Sequence, residues 1–142
     1  MPRSKFDFAY EARVRYADID MQGVMFNAAY LAYFDTAITE FFRSRSFDFA
    51  QRARESGIDF HVVRALVEYK QPITHDMQIE ICVRIARIGS SSITFLLEIH
   101  ATGAEQLMTQ GEIVYVHTDQ KTHRPVPVTE ELRRTLLGEG AG

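Results

Sequence analysis

The sequence lacks the features that mark several specialised classes of protein. It has one cysteine, Cys82, so no internal disulfide can form and a reducing compartment is expected. Lys and Arg number 16 against 19 Asp and Glu, and no dense basic run occurs, which argues against nucleic acid as the main partner. No apolar run approaches the roughly 20 residues of a membrane-spanning helix. The N-terminus MPRSKFDFAY has no apolar core of a signal peptide, so we expect a cytoplasmic protein.

What the sequence does contain is the composition of an ordinary globular domain. Apolar residues make up 46% of the 142 residues and charged residues 25%. A chain of this length can bury a core without disulfides. It shows no repeat, low-complexity segment or linker, so we predict one domain over residues 1–142.

Hydrophobic periodicity predicts the order of the elements. Residues 8–16 alternate between apolar and polar, as in a half-buried strand. Apolar residues at helical spacing follow Asn27, which we interpret as the N-cap, with Phe26 packed on Leu31 as a hydrophobic staple. A second, shorter helix is predicted to stop at Gly57.

The second half of the chain is predicted to consist of four strands and a short terminal helix capped by Thr129. Short turns join the last three strands, which must therefore be antiparallel neighbours. The sequence thus predicts an α+β fold, with a five-stranded antiparallel sheet facing one long helix. An unpaired edge of such a sheet also invites pairing with a second copy of the chain.

The acidic turn after the first strand, YADIDMQG, matches part of a calcium-binding loop. Asp18, Asp20, Gln22 and Gly23 occupy four of its characteristic positions. Ala29, however, stands where the bidentate Glu is needed, and no helix enters the loop, which argues against calcium. Two carboxylates two residues apart in extended chain point the same way, so one could orient the other or perturb its pKa. Alternatively, both are turn formers that solvate the end of the strand.

The start of the long helix offers a second chemical feature. The N–H groups of Asn27, Ala28 and Ala29 are expected to be unpaired at the positive end of the helix dipole. Such an N-terminus stabilises negative charge, including the oxyanion of an attacked carbonyl. Together with Asp20, these donors would form the two halves of an acyl-transfer site, which could face each other across a two-fold interface.

Other features are interpreted without catalytic chemistry. GSSSI, residues 89–93, lacks the second glycine of a nucleophile elbow and is predicted to be a β-turn. The five histidines have no metal-binding spacing, so we predict no zinc site. Cys82 lies on the polar-facing register of its strand and is interpreted as a packing or interface residue. Tyr30 and Tyr33 are interpreted as core or pocket-lining residues, and we favour the core.

Three segments carry a family likeness. Residues 14–43, VRYADIDMQGVMFNAAYLAYFDTAITEFFR, resemble the signature segment of the 4-hydroxybenzoyl-CoA thioesterase-like hotdog family. The branch resembled includes small bacterial acyl-CoA thioesterases, some of them linked to the Tol–Pal system. Residues 67–99 are similar to the second half of the family pattern and residues 124–136 to its usual ending.

The resemblance implies a hotdog fold, in which the sheet wraps around the long helix, and hydrolysis of an acyl-CoA thioester. It also implies a homodimer, often a dimer of dimers, with active sites at the dimer interface and no metal or prosthetic cofactor. By the same resemblance, Asp20 is the catalytic nucleophile or the general base on water. Asn27 would offer its backbone N–H to the thioester carbonyl, Tyr16 matches a tyrosine near the site, and Asp18 orients Asp20 or is solvated.

The resemblance also implies residues that bind the substrate. Val24 to Phe26, with Met25 among them, follow the turn at Gly23 and would belong to the acyl pocket or the interface. Where some relatives have a basic run that holds the CoA phosphates, this chain has GSSS. The substitutes are three basic side chains elsewhere in the chain, Arg64, Lys70 and Arg87, and a seryl hydroxyl of GSSS itself, Ser91, can also bind phosphate, but more weakly.

Three alternatives remain at this point. Some hotdog branches carry the acid on the central helix, where Asp35 and Glu40 lie, and we rank these below Asp20. Hotdog hydratases use a histidine with the acid, and no histidine occurs before His61. The chain could instead be a non-catalytic acyl-CoA or acyl-carrier binding module, although a pure binder has no need of Asp20. The length and type of the acyl group do not follow from the sequence.

Overall fold

The computed structural model describes residues 5–139 and contains five strands and three helices in this range. The strands are β1 (Phe8–Arg13), β2 (Ile58–Tyr69), β3 (Gln78–Ile88), β4 (Ser92–Ala101) and β5 (Leu107–Asp119). The helices are α1 (Ala29–Ser44), α2 (Phe49–Ser56) and α3 (Glu130–Leu136), and a short 3₁₀ turn spans Tyr16–Asp18.

The five strands form one antiparallel sheet in the order β1-β3-β4-β5-β2. The short β3–β4 and β4–β5 turns make these three strands sequential neighbours, as the sequence predicts. β1 and β2 are the two edges. The predicted α+β architecture is therefore confirmed.

Helix α1 lies against the inner face of the sheet and supplies the centre of the core. Its aromatic residues Phe34, Phe41 and Phe42 are at most 2% exposed, and Phe41 and Phe42 pack edge-on against Phe95 of β4. The sheet approaches the helix closely at Gly111 of β5, where a Cβ atom would lie 2.3 Å from the Phe34 ring. A side chain is therefore excluded at this point of the sheet.

The sequence indicates one boundary of each of the two shorter helices correctly, the beginning of α3 and the end of α2. The Thr129 side chain accepts the Leu132 N–H at 3.1 Å, which confirms the predicted cap of α3. Gly57 closes α2 in the left-handed conformation, with φ of 74°. Within residues 5–139, no helix combines the length and the apolar character needed to cross a membrane.

Three local predictions are wrong. The N-cap of α1 is Ala28 and no side chain caps it, because the chain makes a turn at Asn27 before the helix begins. The predicted staple is also not supported, since Phe26 and Leu31 remain 50% and 43% exposed. Tyr16 lies outside β1, since the strand ends at Arg13 and the chain then enters the 3₁₀ turn.

Candidate active site

Asp20 lies in a tight turn whose backbone bonds hold it in place. Its N–H donates to the Val24 carbonyl at 2.9 Å, and its own carbonyl accepts the Gly23 N–H at 3.0 Å. Gly23 has φ of 80°, the left-handed region that glycine adopts without a steric penalty. The Asp20 carboxylate accepts the Gln22 N–H at 2.8 Å through Oδ1. One carboxylate oxygen is thus oriented by the turn itself.

The same turn is fastened to the rest of the molecule. The Met25 N–H donates to the Ile73 carbonyl at 2.7 Å, and the Phe26 N–H donates to the Asp18 carbonyl at 2.8 Å. An isolated bridge joins Val24 to Thr74. Asp20 therefore projects from a segment fixed at both ends, which suits a residue that must hold one catalytic geometry.

Asp18 is anchored by two side chains. Arg15 Nε donates to Asp18 Oδ2 at 3.1 Å, and the Tyr33 hydroxyl donates to the same oxygen at 2.7 Å. These bonds, the one from Arg15 first, lower the pKa of the Asp18 carboxyl. Because the Asp18 side chain is only 14% exposed, it holds the turn and is not a solvated neighbour. Its contact with the substrate stays a prediction.

The beginning of α1 offers two backbone donors. The Ala29 N–H donates to the Phe26 carbonyl at 2.9 Å, so one of the three N–H groups predicted to be unpaired is in use. The N–H groups of Asn27 and Ala28 have no partner within residues 5–139. They lie at the positive end of the helix dipole, where negative charge is stabilised.

Two tyrosines connect the acidic turn with the helix start. The Tyr69 hydroxyl donates to the Asn27 carbonyl at 2.9 Å. Its ring meets the ring of buried Tyr30 edge-on, with centroids 4.8 Å apart. Burial first, then the neighbouring Tyr69 and, among smaller effects, the Asp20 carboxylate raise the pKa of Tyr30. Val24 and Met25, which follow Asp20 in its turn, line one cleft with Asn27 and this tyrosine pair.

Sequence reasoning missed the contribution of Tyr69 and favoured a core role over a pocket-lining role for Tyr30. Tyr30 is indeed buried, at 3% exposure. The link from Tyr69 to Asn27 joins residues 42 positions apart, and no spacing rule relates a strand end to a helix start at that distance. The one signal was a hydroxyl-bearing aromatic residue at the end of a predicted strand, just before Pro72.

One cavity opens beside this cluster, and another lies further along α1. One, of about 270 Å³, adjoins the helix start; its lining includes Val24, Met25, Asn27, Tyr30, Tyr69 and Lys70. Three of the residues predicted as site residues, Met25, Asn27 and Lys70, therefore come together here.

A second cavity, of about 380 Å³, lies between α1, β2 and β5 and is lined mostly by apolar side chains. Its polar groups are Asp35 and Tyr115, whose hydroxyl donates to Asp35 Oδ1 at 3.2 Å. Burial first, and then the Asp35 carboxylate, raises the pKa of Tyr115. Asp35 thus faces an apolar cavity on the helix side, and not the turn that carries Asp20.

The remaining predicted residues are dispersed. Tyr16 is exposed and meets His75 edge-on, with ring centroids 5.6 Å apart. Arg64 forms an ion pair with Glu112. Arg87 and Ser91 lie near the β3–β4 turn, beside the C-terminal end of β5. Tyr69 pairs with Thr109, at the N-terminal end of the same strand. Within one chain, Arg87 and Ser91 are therefore far from the helix start.

Comparison with known proteins identifies relatives. Residues 14–136 match a family model described as the thioesterase-like superfamily. The chain is 30% identical over 118 residues to an Escherichia coli O6:H1 (strain CFT073) protein named acyl-CoA thioester hydrolase YbgC, and the match covers 83% of this chain and 87% of that protein.

Solved structures show the same fold. The PA5185 protein from Pseudomonas aeruginosa strain PAO1 is 28% identical, with a TM-score of 0.85 and coverage of 99% of this chain and 98% of that chain. Slr0204 from Synechocystis, a 1,4-dihydroxy-2-naphthoyl-CoA thioesterase, has a TM-score of 0.84 at 17% identity, covering 91% and 94% of the two chains. At that identity the likeness concerns the fold alone.

The family model spans most of the chain, and the E. coli relative matches most of both lengths. The resemblance found in the sequence is confirmed: this chain belongs to the thioesterase-like superfamily and has the hotdog fold.

Proposed function

We propose that this protein hydrolyses an acyl-CoA thioester to the free acid and CoA. The observation that carries the proposal is that the turn of Asp20, through Val24 and Met25, lines one cleft with Asn27 at the helix start and with the tyrosine pair. An acid and oxyanion donors on one side of a cleft are the minimum that acyl transfer needs. The name of the E. coli relative supports the same reaction.

In the proposed mechanism, the Asp20 carboxylate acts at the thioester carbonyl in one of two ways. As a nucleophile, it adds to the carbonyl carbon, the CoA thiolate leaves, and water hydrolyses the resulting anhydride. As a general base, it takes a proton from the water that attacks the same carbon. In both cases the carbonyl oxygen becomes negative, and the N–H groups of Asn27 and Ala28 stabilise it. The reaction uses water and these groups of the chain, and CoA is part of the substrate, so the proposal includes no metal or prosthetic cofactor.

We further propose that the acyl group enters from the cleft beside Met25, with the apolar cavity at Asp35 and Tyr115 available to a larger group. Apolar walls with a few placed polar groups are typical of ligand sites. Lys70, at the rim of the cleft, is the basic residue best placed to meet the CoA moiety from within the same chain.

The proposed assembly is a homodimer formed through the edge strand β2. This strand exposes apolar side chains to an unusual degree, with Val62 55%, Val63 60% and Leu66 43% exposed. An unpaired edge with apolar side chains is a surface that proteins cover, often with a second copy. Antiparallel pairing of two β2 strands would continue the sheet across the two-fold axis.

Such a dimer would also bring two of the dispersed site residues, Arg87 and Ser91, close to the helix start of the partner chain. Antiparallel pairing places the end of β2 that carries Tyr69 next to the start of the partner's β2. In each chain that start pairs with the end of β5 near Ser91, whose carbonyl accepts the His117 N–H at 2.8 Å. The β3–β4 turn, with Arg87 and Ser91, would thus approach the helix start of the other chain. We propose that the CoA phosphates bind there.

Further details complete the proposal. Two such dimers would form a tetramer, and light scattering distinguishes the assemblies because the masses would be two or four times the 16.3 kDa of one chain. The cytoplasm, where CoA thioesters are made and used, is the proposed location.

The test of the function is thiol release from short-chain, long-chain and aromatic acyl-CoAs by the wild type and Asp20→Asn. We expect turnover of at least one substrate and a loss of about 100-fold or more in kcat in Asp20→Asn, the size of an acid–base contribution. Glu11→Gln, the same change of a carboxylate to an amide on the exposed edge strand β1, serves as the control and should retain wild-type turnover. Binding of acyl-CoA without turnover in any of the proteins would instead support a binding module.

A further inference from the structure

We infer that Tyr69 is a positioning residue that sets the direction of the Ala28 N–H, one of the two proposed oxyanion donors at the start of α1. The inference rests on the proposed thioester hydrolysis, and it concerns a residue that does not itself touch the reacting atoms. Its starting point is the hydrogen bond of 2.9 Å from the Tyr69 hydroxyl to the Asn27 carbonyl.

The bond from the Ala29 N–H to the Phe26 carbonyl closes a turn at the helix start, but no side chain of the turn supports it. The N-cap is Ala28, and no side chain caps the helix. A helix end without a capping side chain normally frays or relies on water. The Tyr69 hydroxyl is not a cap, because it donates to a carbonyl and not to the helix N–H groups. It instead fixes the peptide group that joins Asn27 to Ala28, and it does so from a different element of the fold.

Tyr69 itself is held firmly enough to serve as an anchor. Its backbone pairs with Thr109 of β5, and the next two N–H groups, of Lys70 and Gln71, both donate to the Met108 carbonyl at 2.9 and 3.0 Å. Its ring rests edge-on against Tyr30, which is 3% exposed. The hydroxyl group thus projects from a fixed strand end and a fixed ring.

Because the peptide bond is planar, the hydrogen bond from Tyr69 to the Asn27 carbonyl also fixes the direction of an N–H group. The Asn27 carbonyl and the Ala28 N–H belong to one trans peptide group and point in opposite directions. A hydrogen bond that fixes the carbonyl therefore fixes the N–H as well. Donors that are aimed in advance at the developing oxyanion lower the barrier, whereas donors that must reorient do not.

The variant that tests the inference is Tyr69→Phe, which removes the hydroxyl and keeps the ring on Tyr30. We expect kcat to fall about tenfold, less than the loss of a whole oxyanion donor, while KM changes by less than about twofold. Placing 4-aminophenylalanine at position 69 restores a donor and should restore most of kcat. Tyr10→Phe, which removes a hydroxyl from edge strand β1 on the other side of the sheet, should keep both constants.

A spectroscopic readout separates positioning from a general loss of structure. Infrared difference spectra of a ¹³C-carbonyl acyl-CoA bound to Asp20→Asn report how strongly the protein polarises the thioester. We expect the carbonyl band to lie at lower frequency than in water, and this shift to shrink in the double variant Asp20→Asn/Tyr69→Phe.

The possible outcomes distinguish a failure of this inference from a failure of the proposed function. No turnover in the wild type on any acyl-CoA would contradict the proposed function. An active wild type with unchanged kcat and carbonyl band in the Tyr69→Phe proteins would overturn the inference alone. A raised KM at constant kcat would also overturn it, because Tyr69 would then be a substrate contact.

Discussion

At the scale of single residues, the two aspartates of the acidic turn have different surroundings. Asp18 is clamped by Arg15 and Tyr33, while the Asp20 carboxylate accepts a hydrogen bond from the Gln22 backbone within its own turn. The hydrogen bonds from Arg15 and Tyr33 stabilise the negative charge of Asp18. They explain how a second carboxylate, Asp20, can follow so closely after the strand despite the repulsion between the two charges. One aspartate builds the turn, and the other is available for chemistry.

Tyr33→Phe tests the clamp. It removes a hydrogen bond to a charged, mostly buried group, so we expect a loss of about 1.5–3 kcal/mol in the free energy of unfolding at pH 7. The pKa of Asp18 is lowered in the folded protein, so its contribution is present above the pKa of the unfolded carboxyl and declines as pH falls through the folded pKa. Urea unfolding should therefore show a smaller difference between variant and wild type near pH 3 than at pH 7. An equal difference at both values would mean that the Asp18 charge does not contribute.

The residue scale also shows what sequence patterns reveal and what they miss. The resemblance to the hotdog family singled out Asp20 and Asn27, and both lie beside the tyrosine pair. Tyr69 could not be found in this way, because its role depends on a contact between a strand end and a helix start that only the folded sheet creates. Ser91 was chosen from the position of GSSS in the family pattern and Arg87 by residue type, and neither shows that these residues lie far from the helix start within one chain.

At the scale of elements, the sheet and the helix fit because one position of β5 has no side chain. Gly111 faces the Phe34 ring so closely that a methyl group would overlap it. The pairing of the last three strands could be predicted from the turn lengths and from the alternation of apolar and polar residues, because both are local features of the sequence. The close approach at Gly111 could not be predicted, because it depends on how strongly the sheet curves around α1.

Gly111→Ala is expected to lower the free energy of unfolding by about 1–3 kcal/mol through overpacking. Phe34→Leu in the same chain makes room for the added methyl, so the double variant should lose less than the sum of the single variants. Guanidinium unfolding of the four proteins of this cycle measures the coupling. Strict additivity would contradict the proposed close approach.

Helix α2 is attached to the sheet through Arg52 and His117. The Arg52 guanidinium donates to His117 Nε2 at 2.8 Å, so the ring must carry its proton on Nδ1, which donates to the Val126 carbonyl at 3.0 Å. Burial first, and the positive charge of Arg52 among smaller effects, lowers the pKa of His117. The folded protein thus keeps this histidine neutral.

This attachment predicts a pH dependence of stability. Because the folded pKa of His117 is lowered, the unfolded chain takes up this proton first as pH falls through about 6.5, and stability declines below that value. We expect the melting temperature to fall between pH 7.5 and pH 5, and this fall to be smaller in His117→Gln. Melting curves at several pH values measure both. If the variant shows the full wild-type fall, His117 is not its cause.

At the scale of the whole molecule, the exposed apolar side chains of β2 indicate an assembly larger than one chain. Leu66→Lys places a charge on the proposed interface, so we expect loss of the dimer in light scattering and loss of turnover, with the far-ultraviolet circular dichroism unchanged. Leu137→Lys is the matched control, because Leu137 is equally exposed, at 42%, but lies at the end of α3. A Leu66→Lys protein that stays dimeric and active would place the interface elsewhere.

The central claim is that Asp20 carries out the chemical step on a thioester. The most direct measurement is thiol release in a single turnover, with protein in excess over a bound acyl-CoA, in the wild type and Asp20→Asn. We predict rapid release by the wild type and release slower by about 100-fold or more in the variant, with the affinity for the acyl-CoA retained. Equal rates of release in the two proteins would show that the reaction does not use Asp20 and would contradict the account.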